Sequence, residues 1–175
     1  MSARLGDFEI PDDSGIIAVV DPFRYKPYIG EDWTLEALLD RFRDSMADRC
    51  LLVWSPGSEG NWRVTASLGP APEYTSFRSA AGTIDVSDAG LYVVSYDSLT
   101  MAAQYADEPI PQPHERGNLI TLSPGTYTCE VLQLFPAEHA YRPEAEHSAT
   151  PHFVLSFAPS AASLPPWRSV QWLEL

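Results

Sequence analysis

Hydrophobic and polar positions along this chain alternate in short blocks, with one exception. Leu35, Leu38, Leu39, Phe42 and Met46 recur at spacings of three and four, which draws one apolar stripe along an α-helix. Asp32 or Thr34 can cap its start, and Glu36 falls in the first turn, where the helix dipole favours a negative charge. Asp40, Arg41, Asp44 and Asp48 fall on the opposite face, which reads as solvated.

Elsewhere the pattern is that of strands. Residues 16–20 are a continuous apolar run that ends at Asp21-Pro22, as in a strand buried on both faces. Residues 50–54 form a core strand, 55–60 a turn, and 61–68 a return with Trp62, Val64, Ala66 and Leu68 on one face, which predicts a hairpin. Residues 83–87 make a short strand whose Asp88-Ala89-Gly90 turn leads into a strand over 91–99. A second hairpin is expected from residues 118–122 and 126–135, joined by Ser123-Pro124-Gly125. Residues 152–157 and 169–173 supply closing strands. Residues 1–14 read as an irregular lead-in, 69–82 as a crossing over a sheet edge, and 100–117 and 137–151 as long loops. No repeat and no linker divides the chain, so residues 1–175 are expected to form one domain. Roughly nine short strands and one helix predict a mainly β fold, an antiparallel β-sandwich with one amphipathic helix covering an end or a face. An α+β roll is the alternative.

Charge changes this picture more than composition does. The formal net charge is −13, with acidic residues spread evenly over both halves of the chain. A field of that sign repels nucleic acid and anionic membranes and speeds encounter with basic partners. Simple solubility is the plainer use of such a charge. Residues 1–7 lack the apolar run of a signal peptide, and no stretch reaches the ~20 apolar residues of a membrane span. Cys50 and Cys129 both fall in strands and read as buried, reduced thiols. A cytoplasmic protein is expected.

Little in the chain points to catalysis. The nucleophile-elbow, P-loop and dinucleotide-binding patterns are all absent. His139, His147 and His152 with Glu138 and Glu146 are a candidate metal set, but zinc sites place tighter ligand pairs on a defined element. The Asp107-Glu108 pair has no recognisable substrate pocket around it. The expectation is a protein that is not an enzyme, with no cofactor and no bound metal. The aromatics are more informative. Trp54 and Trp62 belong to core strands, whereas Tyr25, Tyr28, Tyr105, Tyr141 and Trp167 fall in loops. There they either pack beneath their own loops or act as interface anchors with a polar rim. The loop over 100–117 offers Tyr105 as an anchor and Asp107, Glu108 and Glu115 as carboxylates, while Pro109, Pro111 and Pro113 limit its conformations. Glu144 and Glu146 in the later loop extend the same face if both loops lie at one end of the sandwich.

Gly90-Leu91-Tyr92-Val93-Val94-Ser95, then Leu122-Ser123-Pro124-Gly125-Thr126-Tyr127 and Phe135-Pro136-Ala137, preceded by the Trp33-Thr34-Leu35-Glu36-Ala37 helix start and Cys50-Leu51-Leu52-Val53, carry a family resemblance. In that order they resemble the competence protein J family of DNA-entry nuclease inhibitors and the related β-rich immunity proteins of bacterial polymorphic toxin systems. The likeness spans residues 33–137 and is one of hydrophobic pattern, turns and element order. It implies an immunity protein that binds a cognate toxin, a basic nuclease, and occludes its active or substrate-binding surface. The alternatives are a ligand-binding β-sandwich module without a toxin partner, and a small metal-dependent enzyme built on His139, His147 and His152.

Overall fold

The computed structural model describes residues 2–70, 74–141 and 150–175. Among these residues nine strands form two sheets. The larger runs in the order β1 (Ala3–Asp12), β4 (Gly60–Leu68), β9 (Phe153–Pro159), β8 (Gly125–Gln133), β5 (Arg78–Val86). The smaller runs β3 (Leu51–Trp54), β2 (Ile17–Val20), β6 (Leu91–Ser95), β7 (Leu119–Ile120). Every pairing is antiparallel except β4 with β9.

The period of two in a strand explains how these sheets stack. In β2, Ile17 and Val19 point into a core between the sheets with Leu52, Trp54, Val93 and the inward residues of the large sheet. Ala18 and Val20 point the other way, into a second core with Leu38, Phe42 and Met46. A strand apolar at every position therefore lies between a sheet and a helical layer, as its sequence predicts. Helix α1 (Leu35–Ala47) supplies most of that outer layer. The Thr34 hydroxyl accepts from the Ala37 N–H at 3.1 Å, which decides the cap between the two candidates. Leu38, Phe42 and Met46 are buried, whereas Leu35 is 47% exposed.

Several expectations need correction. Residues 3–12 are not a lead-in but the full-length edge strand β1. Phe8 and Ile10 face the core, and the third inward position is the polar Asp12, which masks the alternation. The Asp12 carboxylate accepts from the Ser14, Gly15 and Ile16 N–H groups and from the Trp62 indole. Burial pushes its pKa up despite those donors.

Neither predicted hairpin forms. β3 pairs with β2 in the small sheet, whereas β4 pairs with β1 and β9 in the large one, so residues 55–59 cross between the sheets. Residues 121–124 do the same between β7 and β8. A Pro-Gly turn reverses the chain without saying which sheet receives it. The Asp88-Ala89-Gly90 turn is present, and glycine is required there: φ is +74°, and a Cβ would meet the Ile120 carbonyl oxygen at 2.9 Å.

The strand expected over 91–99 ends at Ser95, and a second helix, α2 (Tyr96–Gln104), takes its place and enters the supposed loop. From Ser98 onward the buried positions Ser98, Leu99, Ala102 and Ala103 follow helical spacing. β5 begins at Arg78, five residues before the expected strand. Residues 169–173 form no strand; Gln171 makes a single parallel bridge to Trp54. The segment still seals the β3 edge, through Gln171 N–H to Val53 O at 3.0 Å and Ser55 N–H to Gln171 O at 2.8 Å. Arg78 stacks 4.4 Å over the Trp172 ring beside it. The architecture is therefore mainly β and sandwich-like, with two helices rather than one. Among the described residues, no helix is long and apolar enough to cross a membrane.

Candidate functional site

The loop that follows α2 is built on a buried carboxylate. Glu115 lies in a 3₁₀ turn (Pro113–Glu115) and is only 2% exposed. Its Oε2 accepts from the Ser95 N–H at 2.9 Å, and its Oε1 accepts from the Ser98 hydroxyl and from the Gln112 N–H at 3.3 Å. Ser95 offers no side-chain cap to α2, so a residue from downstream serves the helix start. A negative charge there also suits the helix dipole. Glu115 is thereby withdrawn from the surface expected for it, because all its exposed-charge potential is spent inside the fold.

The remaining loop residues behave as surface. Tyr105 and Asp107 are exposed and Glu108 is half-buried. Gln112 braces the loop from inside, its amide donating to Glu108 Oε2 at 3.0 Å and to the Pro109 carbonyl at 2.9 Å. The Ile110–Pro111 peptide is cis. Glu144 and Glu146 lie outside the described residues, so the extension of the face through them stays an expectation.

The loop is tied to a neighbour the sequence did not pair it with. The Ala103 carbonyl, in the last turn of α2, accepts from the Ile29 N–H at 2.8 Å and the Gly30 N–H at 3.0 Å. The Trp33 indole donates to Gln104 Oε1 at 3.4 Å, and the Gln104 amide donates to the Tyr105 hydroxyl at 3.2 Å. The start of α1 and the end of α2 thus share one end of the helical layer. Tyr28 is exposed there, as expected of an anchor, but Tyr25 is a core residue whose hydroxyl pKa burial pushes up. Trp167 is half-buried and donates to the Ala81 carbonyl at 2.9 Å. The side chain of Tyr141 lies outside the described residues.

Among the described residues the alternatives find no centre. His147 is outside the described residues, His139 stacks on Phe135, and His152 is buried with its Nδ1 accepting from the Arg63 N–H at 2.9 Å. Among the described residues no three His, Cys, Asp or Glu side chains are placed to hold a metal. Cys50 and Cys129 are buried free thiols; burial pushes Cys50 up to about 11 and Cys129 higher still, which suppresses thiolate chemistry. A groove of about 490 Å³ on the outer face of the large sheet is lined by Arg4, Asp7, Arg63, Thr65 and Tyr74. Around it Arg4 pairs with Asp7, Thr65 donates to Asp7 at 2.7 Å, and Arg63 donates to the Thr150 carbonyl at 2.8 Å. A second cavity of about 390 Å³ sits beside Arg24 and Arg49, whose guanidinium groups both bind Asp85 Oδ2, at 3.1 and 3.0 Å. That cluster ties the ends of β2 and α1 to β5.

No family model matches the sequence, and no curated protein matches it. Solved structures do match the fold. The product of crocagin biosynthetic gene J superimposes with a TM-score of 0.60 at 17% identity, over 91% of this chain and 97% of that one. ComJ from Bacillus subtilis, described as the inhibitor of the DNA-degrading activity of NucA, superimposes with a TM-score of 0.52 at 10% identity, over 91% of this chain and 99% of that one. The architecture that the order of hydrophobic blocks and turns resembled is the one the chain adopts: its fold is ComJ-like.

Proposed function

We propose that this protein inhibits a nuclease by occlusion, as an immunity protein that shields its producer from a cognate toxin in the cytoplasm. The observation that carries the reading is the pairing of a ComJ-like fold with a chain of net charge −13. A nuclease must bind phosphates, so its substrate surface is basic. An acidic protein is steered to such a surface by long-range attraction and then excludes DNA from it. Binding rather than chemistry does the work, with Tyr105, Asp107 and Glu108 at the contact.

The reading is tested by mixing the purified protein with the nuclease encoded by an adjoining gene. DNA degradation should stop, and the two proteins should co-elute in size-exclusion chromatography. Undiminished degradation with no complex would contradict it. The likeness to a crocagin biosynthetic protein favours a second reading, a ligand-binding module without a nuclease partner. That reading predicts no effect on any nuclease and a small-molecule ligand instead.

A further inference from the structure

Several exposed or half-buried carboxylates of this protein are ion-paired. Asp7 pairs with Arg4, Asp40 and Asp44 with Arg43, and Asp85 with Arg24 and Arg49. By contrast, residues 28–36 and 96–112 contain no Lys or Arg at all, yet carry Glu31, Asp32, Glu36, Asp97, Asp107 and Glu108. The hydrogen bonds at Ala103 and Gln104 hold these two segments side by side. The same segments leave large apolar side chains in solvent: Tyr28 is 50% exposed, Leu35 47%, and Met101 and Tyr105 38% each. Met101 lies in the last turns of α2, and Tyr105 ends the helix with its N–H donating to the Met101 carbonyl at 3.0 Å. Leu35 begins the α1 stripe without being buried by it.

We infer that the start of α1 and the end of α2 form one composite docking surface for a basic protein partner that brings an apolar side chain to seat among Tyr28, Leu35, Met101 and Tyr105. This rests on the inhibitor reading and deepens it by naming the surface and the chemistry of its occupant. An unneutralised acidic rim around exposed aromatic and aliphatic groups has the anatomy of an interface rather than of a solvated face. Nucleic acid and a second copy of this chain are both disfavoured by like charge. The backbone hydrogen bonds that join the halves fix their spacing before binding, which reduces the entropy lost on docking. Residues 40–44 of α1 are excluded, because Arg41 and Arg43 balance Asp40 and Asp44 in charge and Arg43 pairs with both carboxylates.

Two arms test this separately from the inhibitor reading. In the first, ¹⁵N-labelled protein is titrated with a lysine-rich peptide that contains one tryptophan, with no nuclease present. Shift changes should concentrate at residues 28–36 and 101–108 and fade as salt rises. Changes spread over the whole acidic surface, or centred elsewhere, would overturn the composite surface whatever the protein inhibits. In the second, the association rate with the nuclease is measured for the Glu31→Lys/Asp32→Lys and Asp107→Lys/Glu108→Lys variants. Each should slow association about tenfold or more at low salt, with the gap closing at high salt, while Asp40→Lys/Asp44→Lys stays within about threefold of the parent. An effect of the 107/108 pair alone would confine the contact to the loop and sink the α1 half. Inhibition lost in none of them would move the interface elsewhere, and no binding by the parent protein would instead refute the inhibitor reading.

Discussion

Removing the Glu115 side chain tests how the candidate loop and α2 hold each other. In Glu115→Ala the Ser95 N–H and the Ser98 hydroxyl, both on buried residues, lose their acceptor. A buried donor left without a partner costs about 1–3 kcal/mol, so the two together cost about 2–6 kcal/mol. Loss of a negative charge at the start of a helix adds about 0.5–1 kcal/mol. A total of about 2.5–7 kcal/mol lowers the melting temperature by roughly 5–28 °C for a chain of this size. Glu115→Gln keeps one acceptor oxygen and should lose about half as much. The assay is urea denaturation followed by circular dichroism, beside a thermal melt of the same variants. Because Ala103 and Gln104 anchor residues 29–33, fraying of α2 should also weaken partner binding. A loss below about 1 kcal/mol for Glu115→Ala would refute the capping role and return Glu115 to the surface.

Further outcomes follow from burial. Phe42→Ala should cost about 3–5 kcal/mol in urea denaturation, because its ring is fully enclosed, whereas Leu35→Ala should cost under about 1 kcal/mol. Native protein should react with a thiol reagent far more slowly than denatured protein, in which both Cys50 and Cys129 are available. The raised Cys50 pKa means that the folded state holds its proton longer than the unfolded state. Its contribution to stability is therefore complete below the ordinary thiol value of 9.0 and is lost as pH rises from there to about 11, which a pH series of melts will show.

The strands were legible in the sequence wherever inward positions were apolar, as in β2, β3 and β4. β1 was hidden by Asp12, a buried polar residue whose partners are turn N–H groups and an indole. The partners of β3 and β7 were not legible. A two-residue period reports which face a side chain takes, not which of two sheets receives the strand. α2 escaped notice because Tyr96 and Leu99 continue the β-like composition of β6, and the helical spacing of Ser98, Leu99, Ala102 and Ala103 contains one large apolar residue. At the candidate site, Tyr105 and Asp107 are exposed and Glu108 is half-buried on the connection that follows α2. Glu115 looked the same in sequence, and what distinguishes it is a hydrogen bond to a backbone N–H 20 residues earlier. The start of α1 read only as a cap, Asp32 or Thr34, with Glu36 suited to the helix dipole. Its proximity to the end of α2 depends on long-range hydrogen bonds that no local pattern encodes.

The central claim is that an acidic face blocks a nuclease, and one titration measures it most directly. The rate of DNA degradation by the nuclease of the adjoining gene is followed as this protein is added at low salt. The parent should bring the rate to background, and a variant carrying Glu31→Lys, Asp32→Lys, Asp107→Lys and Glu108→Lys together should require at least about tenfold more protein for the same effect. A rate that the parent leaves unchanged, or that the fourfold variant suppresses as well as the parent, would contradict it.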